Sequence, residues 1–182
     1  AAAMGYRPDP VARTLSRRRT QTIGVLTPQA LSVAFSNPFF GAFAEGVALA
    51  VEPAGYGLTF ISPLHGSLAG ALGRAMVDGV VAVGIPADHP EVEQVRAAGI
   101  PLVMVDSSAR TDQPTVEVDD EGGARAAAAH LLGLGHRELL VLALEPAVPG
   151  APADADWVTG RRLAGYAAAL RGAGLALEAR DV

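Results

Sequence analysis

Cysteine is absent from the 182 residues, and so is lysine: all 14 basic residues are arginine. Without thiols the chain can hold neither a disulfide framework nor a thiolate metal site. Its four histidines, His65, His89, His130 and His136, share no ligand-like spacing, so no metal centre is expected. No stretch reaches the roughly 18 consecutive uncharged apolar residues that span a bilayer. The first residues also lack the charged-then-apolar order of a secretory signal. These absences point to a cytoplasmic protein with no membrane partner. Catalytic signatures are missing too. After the first apolar run stands "LTPQALS", not the Gly-x-Gly-x-x-Gly of a dinucleotide site. There is no phosphate-binding loop and no Gly-x-Ser-x-Gly elbow, and the "HGS" at 65–67 has the wrong order for one. Neither a cofactor nor an enzymatic activity is expected.

What is present is a foldable chain with lopsided charge. Half of the residues are apolar, and the length suits one good core or two small ones sharing a cleft. The net charge is −5. Residues 1–20 hold Arg7, Arg13, Arg17, Arg18 and Arg19 against Asp9 alone, which leaves the rest of the chain strongly acidic. Such asymmetry suggests a small polyanion-facing segment on an acidic body, although a solvated linker would show the same charges.

Along the chain, apolar runs alternate with helical periodicity. "TIGVLTP" (22–28), "LTFIS" (58–62), "GVVAVGIP" (79–86) and "IPLVMVD" (100–106) read as strands. Between the first two, Asn37 suits an N-cap and Pro38 the first helical position. Phe40, Phe43, Ala44, Val47, Ala50, Val51 and Ala54 then recur at three- and four-residue steps until Gly55 and Gly57 end the helix. "SLAGALGRAMVDG" predicts a short helix weakened by Gly70 and Gly73, and "PEVEQVRAAG" another. Strands apolar on both faces, alternating with helices, indicate an α/β protein with a parallel, doubly wound sheet. "TVEVDDEGGARAAAAHLLGLGH" restarts the cycle with a strand, an acidic cap at Asp119 and Asp120, and an alanine-rich helix ending near Gly135. "ELLVLAL" (138–144) predicts a further strand and "DWVTGRRLAGYAAALRGAGL" a further helix. Units past residue 115 thus read as the start of a second, incomplete α/β subdomain.

A doubly wound sheet binds ligands beyond the carboxyl ends of its strands. The candidates there are Thr27 after strand one, Phe39 and Phe40 at the start of the first helix, and Asp106 and Ser107 after strand four. With the Arg162 guanidinium they could grip a small polar ring, by stacking and by charge-assisted hydrogen bonds. Each has a plainer reading. Phe40 also belongs to an apolar helical stripe, Asp106 could cap a loop, and Arg162 with Arg161 could be a solvated helix face.

Read in order, "GYRPDPVARTLSRRRTQTIGVL", "NPFF", "VDG-V", "IPLV-VD", "VDDEGGARAAAAHL--LGHRE" and "GRRLAGY" resemble the LacI/GalR family of bacterial transcription factors over nearly all of the chain. The resemblance implies a periplasmic-binding-protein-like effector domain of two parallel-sheet subdomains, here 23–117 and the start of a second at 118–182, working as a homodimer. It makes residues 1–22 the end of a helix-turn-helix headpiece followed by a hinge helix at about 8–18. In that hinge Leu15 would wedge into the operator's minor groove while Arg13, Arg17, Arg18 and Arg19 meet phosphates. Such a short helix is marginal alone and would order only on DNA, against its dimer mate. Phe39 and Phe40 would form the aromatic wall of the effector site, Asp106 its carboxylate, and Arg162 its clamp. Two departures qualify this: the reading helices of the headpiece have no counterpart in this sequence, and neither has the rest of the second subdomain. The implied function is a repressor-type regulator whose operator affinity follows a small metabolite. A sugar is favoured over a purine. The alternative is a sugar-binding protein that does not bind DNA.

Overall fold

The computed structural model describes residues 19–63, 70–107, 112–143 and 158–177. Five strands, β1 (Thr22–Leu26), β2 (Gly57–Ile61), β3 (Gly79–Val83), β4 (Leu102–Val105) and β5 (Thr115–Val116), form one parallel sheet in the order β2-β1-β3-β4-β5. The helices are the single turn α1 (Leu31–Ala34), then α2 (Pro38–Val51), α3 (Pro90–Ala97), α4 (Asp120–Gly133) and α5 (Val158–Gly172).

Strand alternation divides the core in two. Leu26, Val80, Ala82, Leu102 and Met104 point to one face, where Val92 and Val95 of α3 cover them. Val25, Val83 and Val105 point to the other, under Ala34 and Phe40. The register sets these side chains level: Leu26 is opposite Ala82, and Val83 opposite Val105. Both faces are covered, which is why the strands carry Val, Leu and Met at successive positions. α2 begins as its sequence dictates, with the Asn37 side chain accepting from the Phe39 N–H at 3.0 Å and Pro38 in the first turn.

A carboxylate closes the sheet's amino end. Asp78, one residue before β3, accepts hydrogen bonds from the Thr20 N–H (2.6 Å), the Thr20 hydroxyl (2.8 Å) and the Gln21 N–H (2.9 Å). Its partial burial acts to raise the pKa. The bonds from Thr20 and Gln21, with Arg19 nearby, outweigh this and hold the carboxyl below its ordinary value.

Three sequence expectations are corrected. The helix over "SLAGALGRAMVDG" is, in its described part, only the 3-10 turn Leu72–Arg74, because the glycines withhold the propensity a longer helix needs. The strand at 115 is the edge strand β5 of the first sheet, paired with β4 through Met104 and Thr115, and opens no new sheet. The described part of "ELLVLAL" forms no strand: residues 138–143 have no ladder, and Leu140 and Leu142 are exposed. An apolar run needs a neighbouring strand to satisfy its backbone, and among the described residues none lies beside it. The hinge residues Arg13, Leu15, Arg17 and Arg18 lie outside the described residues. Arg19 is described and is exposed.

Candidate functional site

A cleft of about 400 Å³ opens beyond the carboxyl ends of β1, β3 and β4. Strand order reverses between β1 and β3, and such a switch point leaves a crevice because the following helices depart to opposite faces. α5 supplies the facing wall.

Thr27 reaches the cleft directly from β1; it is buried, its N–H donates to the Ile61 carbonyl, and its hydroxyl oxygen accepts from the Gln29 N–H at 3.3 Å. Phe39 and Phe40 divide their labour. Phe39 is half-exposed and offers an aromatic face at the cleft. Phe40 is buried with Val25, Val83 and Val105, edge-on to Phe35 at 5.3 Å, so it is a core residue that also lines the cleft. Both readings of Phe40 hold together.

Asp106 follows β4 with φ of 49°, a left-handed conformation that aspartate tolerates better than most side chains. Its N–H donates to the Val116 carbonyl, which fixes the carboxyl end of β4 to β5. Burial pushes the Asp106 carboxyl above its ordinary pKa, the Asp120 charge adds to the rise, and Arg161 opposes both. Ser107 does not line the cleft: it is buried, and its carbonyl accepts from Arg161 Nη1 at 3.4 Å.

Arg162 lines the cleft from α5 with its side chain half-exposed. It is not a solvated helix face. Arg162 Nε donates to Asp120 Oδ1 at 2.8 Å, and Arg161 Nη2 donates to Asp120 Oδ2 at 3.1 Å. The Asp120 carboxylate is almost wholly buried, and two guanidiniums offset the several kcal/mol that an unpaired charge would cost there. The first turn of α4, where the helix dipole favours an anion, adds to this.

Sequence reasoning missed Asp120, which it took as half of an acidic cap. Asp119 alone caps α4, accepting from the Gly122 N–H at 2.8 Å, and Asp120 turns inward to the arginines. The signal was the pair of doublets: one Asp of "DD" suffices for a cap, which leaves the other free to meet the "RR" of a later helix. Tyr166 was missed as well. It lines the cleft one helical turn beyond Arg162, a position the four-residue spacing makes readable.

α4 and α5 approach closely at Gly165. A Cβ there would strike the Glu121 carbonyl and come within 2.9 Å of Ala124 Cβ, so glycine lets the arginine-bearing helix reach Asp120. Among the described residues no three His, Asp or Glu side chains are grouped to hold a metal ion. Nor is any helix there long and apolar enough to cross a membrane.

Residues 20–182 match the family described as periplasmic binding proteins and sugar binding domain of LacI family. Similar proteins include the HTH-type transcriptional regulator Rv3575c of Mycobacterium tuberculosis, 36% identical over 79% of this chain and 42% of that protein. Another is the HTH-type transcriptional regulator CelR of Thermobifida fusca, 30% identical over 94% of this chain and 50% of its own length. The chain thus spans about half the length of these relatives, which are named as transcriptional regulators and not as enzymes. Among solved structures, a transcriptional regulator CelR–cellobiose complex superposes with a TM-score of 0.72 at 27% identity, covering 100% of this chain and 53% of that one. A LacI regulator of Bacillus cereus subsp. cytotoxis, 23% identical, shares the fold at a TM-score of 0.74 over 88% of this chain and 56% of its own.

Proposed function

The chain belongs to the periplasmic binding proteins and sugar-binding domains of the LacI family, and we propose that it is the effector-binding part of a dimeric transcriptional repressor whose grip on operator DNA follows a sugar held in the cleft. One observation carries this reading: Thr27, Phe39, Asp106 and Arg162, far apart in sequence, line a single cleft at the switch point of the sheet. An aromatic face for the C–H side of a pyranose, with a carboxylate and a guanidinium for its hydroxyls, is the chemistry of a sugar site.

In this reading residues 23–117 form one subdomain and the segment from 118 belongs to a second, with α5 bringing Arg162 across the cleft. A ligand held by both walls binds the closed arrangement better than the open one, and only that difference in affinity can shift the equilibrium. The shift is passed to the arginine-rich leader, where Leu15 and its flanking arginines engage DNA in the cytoplasm. Relatives named as regulators, and five arginines in residues 1–20, favour this over a sugar carrier without DNA binding.

A thermal-shift assay on the full-length regulator tests the reading, with cellobiose as the first probe because a similar regulator is solved with it. Other neutral sugars follow, and purine nucleosides serve as controls. A sugar at 100 times its dissociation constant adds about 2.7 kcal/mol, a rise of several degrees. Arg162→Ala and Asp106→Ala abolish the rise if the cleft is the site. A rise with purines alone, or equal rises in the variants, refutes it.

A further inference from the structure

We propose that the cleft selects an uncharged polyhydroxylated ligand and turns away its phosphorylated counterpart, because the guanidinium it presents is already neutralised by Asp120. The inference rests on the sugar reading above and narrows it. An arginine in a binding cleft ordinarily invites an anion. Here the charged groups among the described lining residues are Arg162 and Asp106, one of each sign. Behind them, Asp120 accepts from Arg162 Nε at 2.8 Å and from Arg161 Nη2 at 3.1 Å. Two carboxylates therefore face two guanidiniums, and among the described residues the cluster carries no surplus positive charge. Glu117, whose charge also reaches Asp106, tips the balance slightly negative.

A phosphate ester would bring nearly two negative charges into this arrangement. If it stands near Asp106, like charges repel. If it draws Arg162 away, the Asp120 carboxylate, 1% exposed, is left to Arg161 alone. Both outcomes are costly in a partly desolvated site. A neutral sugar asks for neither. The Nη donors of Arg162, the Asp106 carboxylate and the amides of Asn37 and Gln29 can meet its hydroxyls while the Arg162–Asp120 bond stays in place. Asp120 is thus a positioning residue. It holds the guanidinium in place and cancels its attraction for anions.

The test is isothermal titration of the full-length regulator with matched pairs: glucose with glucose 6-phosphate, and cellobiose with its 6-phosphate. The neutral member of the pair that binds is expected to be favoured by at least about tenfold. Asp120→Asn keeps the shape but leaves two guanidiniums facing one carboxylate, and the preference should shrink at least about fivefold. Asp106→Asn removes the other carboxylate without touching the α4–α5 contact, and should shrink it too even if the first variant folds poorly. A phosphate ester that binds as tightly as its parent, or a preference unchanged in both variants, overturns the inference and leaves the sugar reading standing. Binding of a purine nucleoside, with no sugar of either kind bound, overturns the sugar reading and this inference with it.

Discussion

Between Thr22 and Val116 every strand has a neighbour and both sheet faces are covered, so Leu26, Val95 and Met104 have no exposure at all. Between Asp120 and Leu177 the described structure is mainly two helices packed on one another, with no sheet beneath them. Leu134, Leu140 and Leu142 remain exposed there. The first region is held by area removed from water. The second is held where α4 and α5 pack on one another, with Gly165 against Glu121 and Ala124, and Asp120 between two arginines.

The largest effect should come from the sheet. Met104→Ala leaves a void where no side chain can relax into it, and should cost about 2–5 kcal/mol by urea unfolding. It should lower protection across β1, β3 and β4 together. If only β4 loses protection, the sheet is less cooperative than its packing implies.

Gly165→Ala should act on the other region. Its methyl group meets a backbone carbonyl, and the overpacking should cost about 1–3 kcal/mol. Hydrogen exchange should quicken in 120–133 and 158–172 while 79–83 and 102–105 stay protected. Equal loss in both regions would erase the contrast drawn above.

Smallest, and opposite in sign, are the effects of two carboxylates. Asp78 titrates below its ordinary value of 3.8 in the folded chain. Its contribution is therefore complete above that value and is lost as pH falls from there through the folded pKa. Asp78→Asn should cost about 1 kcal/mol at neutral pH, since the bonds lie near the surface, and progressively less as pH falls below 3.8. Asp106 titrates above 3.8, raised by burial and then by Asp120. The unfolded chain ionises first there, so stability falls as pH rises from 3.8 through the folded pKa. Asp106→Asn should raise apo stability at neutral pH by about 0.5 kcal/mol while weakening the ligand, the exchange expected of a binding residue. Denaturant titrations at pH 3 and pH 7 check both signs.

Much of this was readable beforehand. The four apolar runs became β1 to β4, and "SNP" started α2 where its capping chemistry puts it. Thr27, Phe39 and Asp106 follow from knowing where a doubly wound sheet leaves its crevice, and Arg162 joins them there from α5. What was not readable depended on partners far away in sequence. "ELLVLAL" has the composition of a strand, but a strand is made by its neighbours. Asp120 looks like capping chemistry until α5 brings two guanidiniums to it from some 40 residues away.

The Asp78 clasp carries a mechanical consequence. β3 is the middle strand of five, and the residue just before it grips residues 20 and 21 through three bonds, two from backbone N–H groups and one from the Thr20 hydroxyl. Residues 20 and 21 are therefore keyed to the start of the sheet's middle strand, much as a rudder post is keyed to a keel. A displacement of the sheet's amino end is carried to residues 20 and 21 through this one carboxylate.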